Sequence, residues 1–303
     1  MSRMPALTLL ATPGRRSKMI DLVKEAEYRG FSGVYVPSIS ATLPFCQSIL
    51  EATSSIEVVS SIQPIYYYSA REMASTAAYM HEIGEGRFRL GLGVSHEVMR
   101  TQFGVAGRSG KPLTDMREYL AQLKNAESAS GSLPTITLAT LRSKMLDLAV
   151  SSAGGAVWAN AARSYMPKQL ARITDKAKEN GFTTAAMIPT TIDDDVEAAA
   201  AVNRKTLEMY LSLANYRNYW KAAGYEAEME AVEQAINNGI DKDLAGIAGD
   251  NWLDDITLYG SASRVRDGLE AWFEAGVDTP VLVPSSTKGG MAKAALELFK
   301  VFA

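Results

Sequence analysis

The 303 residues carry a formal net charge of −3 and are 47% hydrophobic, which supports a sizeable core and argues against nucleic acid or an anionic membrane as partner. One cysteine, Cys46, excludes a disulfide framework and suits a reducing compartment. The two histidines, His81 and His96, are too few for a histidine-rich metal site, and no apolar run nears the ~20 residues of a membrane span.

In chain order, Ala6 to Ala11 reads as a short apolar strand. Ser17 is placed to cap a helix whose apolar positions Met19, Leu22, Val23 and Ala26 recur at helical spacing, with Gly30 as its end. Gly33 to Val36 is a second strand stopped by Pro37, and a helix over Pro44 to Ala52 leads into a third strand, Ile56 to Tyr66. Ser69 with Glu72 makes a capping box for a helix that turns Met73, Ala77 and Met80 inward. Phe88 to Leu92 is the fourth strand, and residues 97 to 112 form a long loop. A helix from Thr114 carries Met116, Leu120 and Leu123 on one face, and residues 128 to 132 read as a short linker.

Thr135 to Ala139 is the fifth strand and runs almost directly into a helix at Ser143. Gly154-Gly155 breaks the chain before a sixth strand, Ala156 to Ala159. Met166, Leu170, Ile173 and Ala177 mark one further helix, ending at Asn180-Gly181. Thr183 to Ile188 is the seventh strand, stopped by Pro189, after which Thr191 and Asp194 form a capping pair. Residues 196 to 256 hold helical patterns and no strand signal. Ser261 or Ser263 caps the last framework helix, Thr279 to Val283 is the eighth strand, and Gly290 to Phe302 is the closing helix.

Eight strands alternating with framework helices, without a Rossmann fingerprint, predict an α/β fold of the (β/α)8 TIM-barrel type. Residues 1–303 are expected as one domain, with a helical insertion at about 196–256 between the seventh strand and the last framework helix. No apolar signal segment opens the sequence, so a cytoplasmic protein is expected.

A barrel keeps its chemistry at the C-terminal ends of its strands. Those ends read Thr12, Ser38, Ser61 to Gln63, Val94 to His96, Ala139 to Ser143, Trp158 to Asn160, Pro189-Thr190 and Ser285-Ser286. They offer no paired carboxylates for hydrolysis, no Ser-His-Asp spacing and no strand-tip lysine. A mouth rich in hydroxyls and amides but poor in acids and bases suits an organic cofactor that carries the chemistry itself. Thr140, Arg142, Ser143 and Lys144 surround a helix start, where free N–H groups favour a phosphate. A solvated basic turn reads the same residues equally well. His96 is expected to line the mouth, and Trp158 and Asn160 either face a cofactor ring or fill the rim.

Gly86-Arg87-Phe88-Arg89-Leu90-Gly91-Leu92-Gly93-Val94-Ser95-His96 resembles the fourth-strand signature of the bacterial luciferase-like monooxygenase superfamily, in particular its branch of F420-dependent oxidoreductases. Further similar stretches are Glu25-Ala26-Glu27 with Gly30-Phe31, Pro112 with Glu118-Tyr119-Leu120, Tyr210-Leu211 with Asn215-Tyr216 and Trp220, and Gly276-Val277-Asp278 before Val281. The resemblance implies a luciferase-like TIM barrel that binds coenzyme F420, or alternatively FMN, at the strand ends, often as a homodimer. It implies a cis peptide bond at Ser61–Ile62 beside the flavin ring. It also implies a ribityl-phosphate tail held by the Gly93 to His96 loop and the Thr140 to Lys144 helix start.

Residues expected at the cofactor are Ser38, Ser61, Ile62, Gln63, Gly93, Val94, Ser95, His96, Ala139, Thr140, Arg142, Ser143, Lys144 and Asn160. Two departures stand out. An Asp-His pair after the second strand, used by deazaflavin-dependent dehydrogenases of the superfamily, reads Ser38-Ile39 here, and the usual Gly-Pro after the fifth strand reads Arg142-Ser143. The activity implied is hydride transfer between the deazaflavin and an unknown small organic substrate, with no catalytic acid or base assigned. The alternatives are an FMN-dependent monooxygenase using oxygen, and a flavin-binding protein without turnover.

Overall fold

The computed structural model describes residues 3–38, 41–96, 100–101, 104–105 and 109–302. The strands, labelled in chain order, are β1 (Ala6–Thr8), β2 (Gly33–Val36), β3 (Glu57–Ser60), β4 (Gln63–Pro64), β5 (Phe88–Gly93), β6 (Ile136–Ala139), β7 (Gly155–Ala159), β8 (Thr183–Ile192), β9 (Leu258–Gly260) and β10 (Thr279–Ser285). Their order in the sheet is β10-β1-β2-β3-β5-β6-β7-β8, and the additional β8–β10 pairing closes the circuit. The fold is a closed parallel barrel of eight strands with helices between them, a TIM barrel. The short β4 pairs only with β5, and β9 extends the far end of β8.

The chain forms two compact units, residues 1–157 with 173–184, and residues 158–172 with 185–303. In the first, helices α1 (Arg16–Tyr28), α2 (Thr42–Ala52), α3 (Ala70–Ile83), α4 (Pro112–Ser130), α5 (Ser143–Ser152) and the later α7 (Asp175–Glu179) turn their apolar stripes inward. Met19, Leu22, Val23, Met73, Ala77, Met80, Met116, Leu120 and Leu123 are buried as their spacing requires. Cys46 is fully buried, and that burial pushes its thiol pKa up, so it is a packing residue. Ser69 accepts from the Glu72 N–H, and α3 starts as its capping box dictates.

Several local expectations shift. Ser17 lies inside α1, whose first backbone bond runs from Met19 N–H to Arg15 O after the left-handed Gly14. Helix α4 begins at Pro112, since a missing N–H costs nothing in a first turn, and it absorbs much of the expected linker before Gly131 ends it at φ 100°. The third strand is split into β3 and β4 at Ser61–Ile62. Gly107 and other parts of the 97–112 loop lie outside the described residues.

In the second unit, the single helix expected over 166–177 is instead a 3-10 turn (Arg163–Tyr165) and the short helix α6 (Met166–Leu170). The rest belongs to the first unit, where Thr174 caps a new start by accepting from Ala177 N–H. Strand β8 does not stop at Pro189. Met187 O accepts from Asn160 N–H, and Thr190 already pairs with Leu258 of β9. Pro189 therefore stands in the gap between two partners, where no ladder donor is needed. Strand β10 likewise continues through Pro284 to Ser285. Thr191 is part of β8 and donates to Asn203, and Asp195 caps the next helix by accepting from Ala198 N–H.

From 196 to 256 the chain is helical as expected, in α8 (Val196–Leu211), α9 (Ala214–Ala222), α10 (Glu226–Asn237), α11 (Leu244–Ala248) and α12 (Asp250–Ile256). The strand β9 that follows has no counterpart in the sequence reading, because three residues carry no readable period. Ser261, not Ser263, caps α13 (Ala262–Glu274) by accepting from Arg264 N–H, and α14 (Met291–Val301) closes the chain. Among the described residues no helix is long and apolar enough to cross a membrane.

The tightest packing constraint lies in the first unit. A Cβ built on Gly91 would stand 1.8 Å from the Ser60 carbonyl oxygen. We expect Gly91→Ala to lose about 3 kcal/mol or more of stability, read as a lowered urea midpoint. Retention of the wild-type midpoint would contradict that packing.

Candidate functional site

The site is built in the first unit from the ends of β3, β5 and β6. Ser61 N–H donates to Val36 O, and the Ser61–Ile62 peptide bond is cis, as the resemblance implies. Gln63 and Pro64 then rejoin β5 opposite Leu92 and Gly93, and Ile65 N–H donates to Gly93 O. Ser61 and Gln63 are buried, and Ile62 is half-buried. A Cβ on Gly93 would stand 2.5 Å from Ile62 Cδ1 and 3.2 Å from Ala139 Cβ, so Ile62, Gly93 and Ala139 form one close apolar contact.

Beyond β5, Val94, Ser95 and His96 are half-buried, with Ser95 in the left-handed region at φ 52°. The Arg100 N–H donates to His96 O. Its guanidinium donates to Val94 O and lies 4.9 Å from the centroid of Tyr66. The Tyr66 hydroxyl donates to the buried Asp115, which also accepts from Ser109. Burial, together with the charge of Arg100, pushes the pKa of His96 below its ordinary value.

After β6, Thr140 N–H donates to Val157 O, and its hydroxyl is buried without a hydrogen-bond partner. Helix α5 starts at Ser143 with no side-chain cap. Its first N–H groups are free in the sense that any helix start leaves them so. Arg142, Ser143 and Lys144 are exposed, and neither cation meets a carboxylate among the described residues. An orphaned hydroxyl, a helix start and two cations thus adjoin an apolar contact that only a glycine at 93 permits. Donors gather there and acceptors do not, which fits a flat apolar ring carrying an anionic tail.

Of the expected residues, Ile62, Gly93 and Ala139 meet directly, with Ser61 and Gln63 beside Ile62 in the chain. Ser38 is a half-buried turn residue directly after β2, and Ile39 lies outside the described residues. Asn160 belongs to the second unit, where it is buried at the end of β7. The sequence reading missed Arg100, Tyr66 and Asp115. The four-residue step from His96 to Arg100 was the available signal, hidden in a stretch read as loop. It also placed the end of the first strand at Thr12, whereas β1 ends at Thr8, whose buried hydroxyl likewise has no partner.

The family described as luciferase-like monooxygenase matches residues 5–279. No curated protein matches the sequence. Among solved structures, the coenzyme F420 dependent tetrahydromethanopterin reductase from Methanopyrus kandleri superposes with a TM-score of 0.75 at 16% identity, over 99% of this chain and 98% of that one. An F420-dependent secondary alcohol dehydrogenase, in complex with an F420-acetone adduct, gives 0.69 at 15% identity, over 99% and 98%. The FMN-bound oxygenating constituent of 3,6-diketocamphane monooxygenase from Pseudomonas putida gives 0.65 at 17% identity, over 99% and 95%. At these identities the likeness is one of fold.

The lowered pKa of His96 has a consequence for stability. In the unfolded chain a histidine titrates near about pH 6.5. The folded chain resists that proton, so below about pH 6.5 the unfolded state binds more protons and stability falls as pH falls, until the folded pKa is passed. We expect urea midpoints of the wild type to decline over that window and those of His96→Gln to decline less. Identical pH profiles would rule out the effect.

Proposed function

The chain belongs to the luciferase-like monooxygenase family, and from that premise we propose that it is an oxidoreductase moving a hydride between coenzyme F420 and a small organic substrate. The observation that carries this reading is the donor-only cradle after β6, set against the Ile62–Gly93–Ala139 contact. F420-dependent enzymes among the solved structures of the same fold support the choice of cofactor.

When bound, the deazaflavin supplies hydride chemistry at its C5 carbon, which needs no protein nucleophile. The chain's residues then bind, orient and exclude water. The α5 N-terminus, Thr140, Arg142 and Lys144 hold the phosphate tail by N–H donation and charge. Gly93 lets Ile62 close against the strand beside Ala139, which gives the ring an apolar surface to lie on. His96, neutral above its lowered pKa, offers one donor and one acceptor nitrogen after β5 without adding charge. Arg100 is held over Tyr66 by the Tyr66–Asp115 bond, and this fixes the position of the loop that carries His96.

FMN is the second reading, since a monooxygenase of the same fold holds it. The two cofactors share the ring and the phosphate but differ in whether oxygen takes the electrons. The absence of an Asp-His pair at Ser38-Ile39 argues against the alcohol dehydrogenation that such a pair serves, and so favours another reducible substrate.

Fluorescence titration with F420 and with FMN separates the readings. We expect tighter binding of F420, and a loss of about tenfold in affinity in Arg142→Ala and again in Lys144→Ala. Unchanged affinity in both variants would remove the phosphate site, and tight binding of FMN alone would move the reading to an FMN-dependent monooxygenase.

A further inference from the structure

Two connections of the first unit repeat one stretch of sequence. Arg16-Ser17-Lys18-Met19-Ile20-Asp21-Leu22 follows β1, and Arg142-Ser143-Lys144-Met145-Leu146-Asp147-Leu148 follows β6. Six of the seven positions are identical, and Leu-Ala-Thr precedes each, at 10–12 and at 138–140. The two stretches also fold alike. Helices α1 and α5 each begin directly after an arginine, Arg15 or Arg142, that supplies no side-chain cap, and neither has an acid in its first turn. Leu22 and Leu148 are buried, and Asp21 and Asp147 are exposed. At each strand end a buried threonine hydroxyl, Thr8 or Thr140, has no partner.

The connection after β1 differs in being longer, by a turn through Pro13 and the left-handed Gly14 at φ 72°. That turn stands ahead of a surface groove of about 540 Å³ lined by Gly14, Arg15, Arg16, Ser17 and Lys18. Arg15, Arg16 and Lys18 are exposed, and none meets a carboxylate among the described residues. The N–H groups of Arg16, Ser17 and Lys18 precede the first helical bond, from Met19 N–H to Arg15 O, so no helical carbonyl meets them. Three cations around one groove repel one another, and an anion seated among them turns that repulsion into attraction.

The groove is not a second hold on the same phosphate. β2, β3 and β5 stand between β1 and β6 in the sheet, and three strands also separate them the other way round the circuit. A phosphate at the start of α5 leaves the start of α1 to a different anion, at the same C-terminal face of the barrel. We propose that the α1 start is a second anion site, which holds a phosphate or carboxylate group carried by the substrate. This deepens the oxidoreductase reading above and rests on it. With the cofactor phosphate at α5, the substrate class becomes an anionic one, bound at α1 by charge and N–H donation.

The test uses the full chain, free and saturated with F420 or FMN, with inorganic phosphate as the probe. In the nitrogen–proton spectrum, the assigned backbone signals of Arg16, Ser17 and Lys18 should shift with phosphate even when cofactor occupies the α5 start. We expect Arg16→Ala and Lys18→Ala each to weaken phosphate binding about threefold to tenfold, read at the signals that remain. No shift at these residues in either form, or equal affinity in both variants and the wild type, would overturn the site. F420 itself carries an anionic tail of glutamates that FMN lacks, and titration of the same variants with both cofactors separates that source. Loss of F420 affinity with FMN affinity kept would give the groove to the tail and overturn the substrate assignment. If the wild type binds neither cofactor while phosphate still shifts these signals, the functional reading fails and the anion site stands, so the two failures are told apart.

Discussion

The candidate site depends on how closely β3 and β5 approach at one point. The Ser60 hydroxyl donates to Gly91 O at 3.0 Å and accepts from Gly91 N–H at 2.9 Å, entirely out of solvent. A side chain thus supplies both halves of a pairing that backbone normally supplies, and only a glycine leaves space for it. Register between the strands runs from Val58↔Phe88 and Val59↔Arg89 to Gln63↔Leu92 and Pro64↔Gly93, with Ser60 bridging the interruption. Ile62 is thereby turned toward Gly93 and Ala139. Without Gly91 the two strands would separate, and the apolar contact beside the start of α5 would lose its floor.

Charge is distributed to match that division of labour. At the start of β3, far from the cradle along the strand, carboxylates and cations are spent on structure. The Glu27 carboxylate accepts from the N–H groups of Ser54, Ser55 and Ile56; burial works to raise its pKa, and these donors more than offset it. Arg87 donates to the carbonyls of Leu50, Thr53 and Ile56, capping the end of α2, and Arg89 pairs with Glu57. At the other end of the strands Arg142 and Lys144 meet no carboxylate among the described residues. Exposed pairs contribute little to stability, so leaving these two unpaired costs the fold almost nothing and keeps their charge available to an anion.

What the sequence made legible followed from periodicity and caps. Buried Met19, Leu22, Val23 and Ala26 recur at helical spacing, Ser69 with Glu72 caps α3, and the apolar runs at 33–36, 88–93 and 136–139 are strands. The helix start after β6 was found because Ser143 follows a strand within a few residues. What stayed hidden depended on partners distant in the chain. Pro189 and Pro284 read as stops because a single sequence does not say which side of a strand faces a gap in the ladder. The helix expected over 166–177 broke because Thr174 could cap a new start, a choice made by tertiary packing over propensity. Asp115 looked like an ordinary first-turn acid, and only the fold reveals that it is buried against Tyr66 and Ser109.

The helical insertion illustrates the same limit. Its apolar spacing announced helices, but not what they hold. Residues 160–162 leave β7 without regular structure before the 3-10 turn, and several polar groups of this stretch are met from the insertion. Trp220 Nε1 donates to Asn160 O, the Tyr219 hydroxyl accepts from Ala162 N–H, and Asp255 accepts from both the N–H and the hydroxyl of Ser164. Tyr225 donates to the same carboxylate. Asp255 is buried, so each of these bonds forms in a medium where an unmet partner is costly, and the set fixes the turn as a unit. A strand end would otherwise carry a mobile loop. Here about sixty residues of helix, inserted a strand later in the sequence, turn it into a rigid one. Substitution on α8, α9 or α12 can therefore reshape what the end of β7 presents without touching the strand.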